Sequence, residues 1–267
     1  MPYTSDSHEF DQLTVQYPKA KKILAEGDSW FSYPRRFFVF GAASNVVDHL
    51  GKGSKYVIYS TASNGDEALS MLSGEQKHAM MKRIKANAYD FILFSGGGND
   101  IVGRFDFDHF VAEKQPGMTA LDCINKQRLT RKLNQLEATY EELIERVAQY
   151  SVNQNTKIVT HTYDFAIPTK KGFELFDIFP VGESWMYPIL MDRKITDSQE
   201  QRLIARTILI AFKDKLITIQ GKYQDRFHVV DTQGLLAGNQ WRNEIHPTPA
   251  GFKLIARKIA DALESLG

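Results

Sequence analysis

Short apolar runs alternate with long amphipathic segments along this chain. Each run is five residues long, and most of the runs consist of β-branched or aromatic residues. This pattern is typical of parallel strands that are covered on both faces. It predicts strands at Lys22–Glu26, Tyr56–Ser60, Phe91–Ser95, Lys157–His161 and Phe227–Asp231.

Three longer segments have helical periodicity. From about Asp122 to Tyr150, apolar residues recur every three or four positions, which predicts a helix packed on the sheet, because so few heptads do not make a coiled coil. A second helix is expected from about Asp197 to Gln220, with Gly221 as its C-terminal stop. The last helix begins at Thr248–Pro249, where a capping residue precedes a proline at the first helical position.

The alternation of strands and helices predicts the fold class. It indicates an α/β protein, a three-layer α/β/α sandwich around a parallel sheet with right-handed crossovers. The chain has 267 residues and shows no internal repeat and no low-complexity linker. We therefore expect one domain over residues 1–267.

The composition excludes several classes of protein. Lysine and arginine total 33 against 32 aspartate and glutamate residues, so no nucleic-acid footprint or polybasic membrane patch is expected. The single cysteine, Cys123, excludes an intrachain disulfide and a cysteine-based zinc cage. No apolar run reaches the length of about 18 residues that a transmembrane helix needs. The N-terminal segment has no apolar h-region, so we expect a cytoplasmic location unless a secretion signal has been removed.

Polar residues follow most of the predicted strands. In open parallel sheets, ligands bind beyond the carboxyl ends of the strands. The Gly27–Ser29 triplet follows the first strand, Gly65 the second and Asn99 the third, and His246 lies in a loop after the fifth. Taken alone, the triplet predicts either a plain turn or a nucleophilic Ser29 at the rim of a pocket. The polar residues after the other strands favour the nucleophile.

Two other kinds of site are not expected. The glycine run at Gly96–Gly98 lacks the Gly-Lys-Ser/Thr of a phosphate loop and does not form a G-x-G-x-x-G motif, which argues against a nucleotide site. The carboxylates are scattered along the chain without metal-ligand spacing. We therefore expect no cofactor and no metal.

Four blocks of the sequence resemble those of the SGNH (GDSL-type) serine hydrolases, in the order and at the distances found in that family. They are Gly27–Ser29, Gly65, Gly98–Asp100 and His246–Pro247. The resemblance covers most of the chain. Residues 103–121 and 165–195 match nothing in the family pattern and are interpreted as insertions that form a lid or a pocket.

The resemblance implies a flavodoxin-like, mostly five-stranded sheet and a serine esterase or lipase-type hydrolase. Ser29 Oγ would attack the ester carbonyl, and His246 would take its proton and return it to the leaving alcohol. The tetrahedral oxyanion would be held by the backbone amides of Ser29 and Gly65 and by the side chain of Asn99. Asp28 and Asp100 are interpreted as structural residues that cap turns next to the site.

One position departs from the family pattern. The aspartate that the family places three residues before the histidine is here Asn243, and Glu244 follows it. An asparagine carbonyl oxygen can accept the imidazole N–H, as in Cys-His-Asn proteases. We therefore expect a Ser29–His246 dyad oriented by Asn243, while Glu244 stays open as the third member if the loop turns differently.

The substrate and the exact reaction stay open. The expected partner is an acyl or acetyl ester of a lipid, a sugar or a small alcohol. The alternatives are an acyltransferase that uses the same site and a binding module that keeps the fold but has lost the full triad. Aromatic residues from Trp30 to Phe40 and in 165–195 either pack in the core or line an apolar pocket. The oligomeric state is not predicted.

Overall fold

The computed structural model of this chain describes residues 2–33, 44–175 and 179–267, with only the backbone described within 173–181. Its centre is a parallel sheet of six strands. The strands are β1 (Tyr3–Thr4), β2 (Lys21–Gly27), β3 (Tyr56–Ser60), β4 (Phe91–Ser95), β5 (Lys157–His161) and β8 (Phe227–Val230). Two further strands, β6 (Phe173–Leu175) and β7 (Phe179–Gly182), form a separate antiparallel hairpin.

The strands are ordered β1-β3-β2-β4-β5-β8 in the sheet. Without the first strand, this is the 2-1-3-4-5 order of flavodoxin-like sheets. The α/β/α prediction and the five predicted strands are thus confirmed, while the sheet has one strand more than expected. The extra strand, β1, has only two residues and pairs with the edge of β3.

Helices cover both faces of the sheet. They are α1 (Ser7–Gln16), α2 (Ser29–Ser32), α3 (Val46–Leu50), α4 (Ala68–Met71), α5 (Gly74–Ala86), α6 (Gly98–Val102), α7 (Arg104–Phe110), α8 (Lys126–Gln149), α9 (Met186–Asp192), α10 (Ser198–Lys222) and α11 (Pro249–Leu266). Tyr140 of α8 packs edge-on against Phe94, with ring centroids 5.2 Å apart. The end of α11 lies against Phe91, three positions away and therefore on the opposite face of β4.

One predicted helix boundary was wrong. Gly221 lies inside α10, which continues to Lys222 and is closed by the N–H of Tyr223 bonding to the carbonyls of Ile219 and Gln220. The two segments interpreted as insertions pack against each other through α7 and α9. Arg193, just after α9, also donates to Asp108 of α7 at 2.6 Å. No helix among the described residues is both long and apolar enough to cross a membrane.

Candidate active site

Ser29 begins a short helix at the carboxyl end of the central strand β2. Asp28 caps this helix, because its Oδ1 accepts the Trp30 N–H at 2.9 Å. The turn brings the serine to the sheet edge that the sequence predicts for the ligand site. Ser29 is 4% exposed, so neighbouring residues cover almost all of it.

His246 lies beside Ser29, and Asn243 lies behind His246. The Ser29 Oγ–His246 Nε2 distance is 2.7 Å. Asn243 Oδ1 lies 3.1 Å from His246 Nδ1 and also accepts the backbone N–H groups of Ile245 and His246. These donors fix the orientation of the amide. Nδ1 therefore carries the ring proton, and Nε2 accepts the hydroxyl proton of Ser29.

The imidazole of His246 is held by the neutral amide of Asn243 on one side and contacts the Ser29 hydroxyl on the other. It is fully buried, and burial lowers its pKa to about 3, with a further lowering from the positive charge of Arg242. Tyr33 covers the ring at a centroid distance of 4.6 Å. Asn243 Nδ2 is buried and has no hydrogen-bond partner among the described residues. The arrangement keeps a neutral base next to the Ser29 hydroxyl.

Glu244 faces away from His246. Its carboxylate accepts the backbone N–H groups of Trp185 at 2.7 Å, Met186 at 2.9 Å and Tyr187 at 2.8 Å. These groups form the N-terminus of α9, where negative charge is stabilised. Burial raises the pKa of Glu244, and the hydrogen bonds from these amides oppose that rise. The alternative in which Glu244 orients the imidazole does not fit this geometry.

Asn99 lies in the first turn of α6, directly after Gly97 and Gly98. Gly97 adopts the left-handed region at φ +101°, and a Cβ at Gly98 would approach the Tyr163 ring to 2.7 Å. Both positions therefore require glycine. The Asn99 side-chain amide donates to the carbonyl of Asp66 at 2.8 Å. Asn99 is thereby held against the loop that contains Gly65.

Gly65 lies in an exposed turn with φ +84°, three residues before α4 begins at Ala68. Its amide therefore lies outside the first turn of that helix. Asp100 caps α4 instead, by accepting the N–H groups of Ala68 at 2.7 Å and Leu69 at 3.2 Å. This contact ties the Gly65 loop to α6.

A small cavity lies between Ser29 and Asn99, with a volume of about 20 Å³. Its lining among the described residues includes neither Gly65 nor His246. The lining residues are Asp28, Ser29, Trp30, Gly98, Asn99, Val102, Tyr163, Asp164, Ala166, Leu209 and Ile245. The structure thus brings Ser29, Asn99, His246 and Asn243 into one site and leaves Gly65 outside this cavity.

A second serine–histidine pair lies directly behind Ser29 and was not assigned from the sequence. Ser95 Oγ is 2.8 Å from His161 Nε2 and donates to Asp28 Oδ1 at 2.9 Å. Tyr163 donates to Asp28 Oδ2 at 2.5 Å. Burial raises the pKa of Asp28 to about 6 and lowers that of His161 to about 3. The sequence did contain one sign of this pair, since the apolar runs of β4 and β5 end on Ser95 and His161.

The large apolar side chains of Trp30–Phe40 and 165–195 lie partly in the core and partly at the small cavity. Trp30 stacks on the His161 ring at a centroid distance of 5.1 Å and lines the small cavity. Met186 is fully buried, and Phe165 packs at the edge of the core with Arg206 over its ring. The predicted pocket residues Phe37, Phe38, Phe40 and Phe176 lie outside the described residues.

A larger cavity of about 720 Å³ lies beside α9, separate from Ser29. It is lined by residues of the 165–195 segment such as Lys170, Glu183 and Tyr187. It shares no lining residue with the small cavity among the described residues. In the part of the chain that the structure describes, no group of three or more histidine, cysteine, aspartate or glutamate side chains could hold a metal ion.

Solved structures of similar fold include an α/β hydrolase enzyme, an acetylxylan esterase and a GDSL-like lipase. LAE5, an α/β hydrolase enzyme from the metagenome of Lake Arreo, Spain, is 17% identical over 92% of this chain and 96% of its own, with a TM-score of 0.54. A catalytic mutant of Axe2, an acetylxylan esterase from Geobacillus stearothermophilus, is 17% identical over 91% and 94%, with a TM-score of 0.52. A candidate GDSL-like lipase from Parabacteroides merdae is 16% identical over 92% and 96%, with a TM-score of 0.50.

These similarities establish the fold. The chain has the α/β/α fold of SGNH (GDSL-type) hydrolases, which confirms the resemblance seen in its motifs. No protein-family model matches the sequence, and no curated protein sequence matches it significantly.

Proposed function

We propose that this protein hydrolyses carboxylic esters through an acyl-enzyme formed on Ser29. The observation that carries the proposal is the order of hydrogen-bond donors from Ser29 to Asn243. The Ser29 hydroxyl can donate to His246 Nε2 at 2.7 Å only because His246 Nδ1 donates its own proton to Asn243 Oδ1. A serine with a neutral base on its hydroxyl is an activated nucleophile.

The reaction proceeds in two balanced halves. Ser29 Oγ bonds to the ester carbonyl carbon while its proton passes to His246 Nε2. The bond from that carbon to the alcohol oxygen then breaks, and His246 returns the proton to the leaving alcohol. In the second half, water gives a proton to His246 Nε2 while its oxygen bonds to the acyl carbon. The bond from that carbon to Ser29 Oγ then breaks, and His246 returns the proton to Ser29 Oγ as the carboxylic acid leaves.

The oxyanion formed in each half needs donors that are already oriented. In this proposal they are the Ser29 and Gly65 amides and the Asn99 side chain. The contact from Asn99 to the Asp66 carbonyl supports this assignment, because it holds the Asn99 amide next to the Gly65 turn at 2.8 Å. Such fixed donors contribute more than any other single effect in many acyl-transfer enzymes.

Asn243 gives this site a weaker base than an aspartate would. A neutral amide orients the imidazole but does not stabilise the imidazolium as an anion does. The pKa of His246, lowered by burial to about 3, fits this assignment. The site therefore keeps its base unprotonated at acidic pH, at the expense of proton-transfer driving force.

The fold supports the same reaction class by analogy. One similar structure is that of an acetylxylan esterase and another that of a candidate GDSL-like lipase. Ester hydrolysis is what their printed names share. Fold alone does not carry function, so the proposal rests on the site.

Labelling with a fluorophosphonate probe at neutral pH tests the proposal. We expect wild type and Ser32→Ala to be labelled, and Ser29→Ala to remain unlabelled. Ser32 is a matched control because it belongs to the same short helix, α2. Labelled wild type should also hydrolyse p-nitrophenyl acetate. A folded wild type that neither reacts with the probe nor hydrolyses the ester would instead indicate a binding module.

A further inference from the structure

We infer that the acyl group accepted by this site is acetyl-sized and apolar, an inference that rests on the proposed function. The cavity between Ser29 and Asn99 has a volume of about 20 Å³. A single water needs roughly 10–15 Å³ of such space. The cavity therefore holds one group of about the size of a methyl, and not an extended chain.

The walls of this cavity belong to the packed core. Its apolar lining residues are all buried: Val102 of α6, Ala166 of the 165–195 segment, Leu209 of α10, and Ile245, which precedes His246. They come from four separate parts of the chain. Close-packed interiors resist added volume, because neighbours must leave their preferred rotamers. A longer acyl chain would have to displace core side chains.

The polar side chains in the wall have their hydrogen bonds elsewhere. The two carboxylate oxygens of Asp164 accept the backbone N–H groups of Gly234 and Leu236, each at 2.6 Å. Tyr163 donates to Asp28. Of the polar side chains in the described lining, those of Ser29 and Asn99 are the ones that the proposed mechanism uses on a bound ester. An acyl group that ends in a hydroxyl or carboxylate would lose its hydration without gaining a partner.

The larger cavity beside α9 does not extend this space. Its volume is about 720 Å³, but its described lining and that of the small cavity have no residue in common. A third cavity lies between the two and shares Ile245 with the small cavity and Glu183 and Ser184 with the larger one. Its volume is about 10 Å³, no more than a single water needs, so an extended acyl chain does not fit through it. The small cavity sets the size limit.

The test compares p-nitrophenyl acetate, butyrate and octanoate on wild type, Leu209→Ala and Leu216→Ala. Leu216 is the matched control, because it is a fully buried leucine of the same helix that does not line the cavity. For wild type, we expect kcat/KM to fall at least about tenfold from acetate to butyrate, and further for octanoate. Leu209→Ala should raise the butyrate-to-acetate ratio at least about tenfold. Leu216→Ala should lower the melting temperature similarly and leave the ratio unchanged.

The outcomes separate the two proposals. If Ser29 reacts with a fluorophosphonate and wild type hydrolyses octanoate as well as acetate, the size limit is wrong while ester hydrolysis stands. If Leu209→Ala and Leu216→Ala change the ratio equally, the wall assignment is wrong. Should Leu209→Ala not fold, Val102→Ala removes less volume from the same wall and must shift the ratio in the same direction. A wild type without labelling or hydrolysis overturns both proposals.

Discussion

The Ser29–His246 pair and the Ser95–His161 pair have nearly the same geometry. The Oγ–Nε2 distances are 2.7 Å and 2.8 Å. Both histidines are fully buried, and burial lowers the pKa of each to about 3. Distance, burial and pKa therefore do not distinguish a nucleophile with its base from a structural contact.

The two pairs differ in what the other ring nitrogen contacts. His246 Nδ1 faces a carbonyl oxygen, that of Asn243, so Nδ1 is the donor and Nε2 the acceptor. His161 Nδ1 faces the backbone N–H of Tyr163 at 3.3 Å, so here Nδ1 accepts and Nε2–H donates to Ser95. The two rings therefore hold opposite tautomers. Of these two rings, His246 is the one whose Nε2 accepts the proton of its serine.

The hydroxyl proton of Ser95 goes to Asp28 instead. Asp28 in turn caps the helix that begins with Ser29. The second pair thus supports the turn that carries the proposed nucleophile, Ser29. In each pair the group that contacts Nδ1, and not the contact between the serine and Nε2, shows whether the histidine can act as a base.

Replacing each serine with alanine is the strongest test of the difference between the two pairs. Ser29→Ala should lower kcat on the order of 10⁴-fold or more, because the covalent step is lost. Ser95→Ala should keep most of the activity but leave the buried His161 N–H unpaired, which costs about 1–3 kcal/mol of stability. Steady-state kinetics on p-nitrophenyl acetate and thermal melts measure both effects. A folded Ser95→Ala that is as inactive as Ser29→Ala would remove the distinction.

Asn99 tests another feature of the Ser29 pair, the proposed oxyanion donor beside the serine. Asn99→Ala should reduce kcat about 10²–10³-fold with little change in KM, because the contact is made mainly in the transition state. Asn134→Ala, on the exposed part of α8, is the control and should behave as wild type. A loss below about threefold in Asn99→Ala would take this side chain out of the mechanism.

Asn243→Asp places an anion next to His246 and leaves the contacts of His161 unchanged. The carboxylate favours the protonated ring, so the pKa of His246 rises from about 3. Because the base must be neutral, the acid limb of the kcat/KM profile should move to higher pH, by roughly one to three units. The plateau rate should also rise, since an anion stabilises the imidazolium better than an amide does. Coincident profiles for the two proteins would mean that residue 243 does not act on the ring.

The smallest effect concerns stability at acidic pH. The pKa of His161 is lowered to about 3 in the folded state and is about 6.5 when the chain is unfolded. The unfolded state therefore binds the proton first, and this stability, complete above about pH 6.5, is lost as the pH falls toward 3. His161→Gln removes the titration. Between pH 7 and pH 4.5, its melting temperature should fall less than that of wild type, by about 3–8 °C.

The same melts on His246→Gln serve as the internal comparison. Burial lowers the pKa of both histidines to about 3, so both variants should show the same sign. Asp28 has the opposite effect on how stability changes with pH, because its pKa is raised to about 6. It titrates in wild type and in both variants, so its contribution cancels when their melting temperatures are compared. Equal losses in wild type and both variants would mean that neither ring stays neutral in the folded state.

The main strands were predictable because their signal is local. Five apolar runs of the right length gave β2, β3, β4, β5 and β8 to within one or two residues. The two-residue β1 carries no periodicity, and only its pairing with β3 makes it a strand. Gly221 was predicted to end a helix, but α10 continues through it to Lys222.

The sequence predicted those residues of the candidate site that directly follow a strand or lie in the loop after one. Ser29, Asn99 and His246 follow different strands, and parallel topology brings such ends together. The tautomer of His161 was not predictable, because it depends on a backbone N–H held by the unusual φ of +48° at Tyr163. The role of Glu244 was equally hidden, since its partners at Trp185–Tyr187 lie nearly sixty residues earlier in the chain.

Asn243 and Glu244 are neighbours in sequence, yet one contacts the imidazole and the other the start of α9. For protein engineering, this means that residues 165–195 are not an exchangeable module. A transplanted segment without three amides in the register of Trp185, Met186 and Tyr187 would leave the buried Glu244 carboxylate without hydrogen bonds, one residue from Asn243. Libraries that vary the length of this segment should therefore hold Glu244 and these three backbone positions fixed.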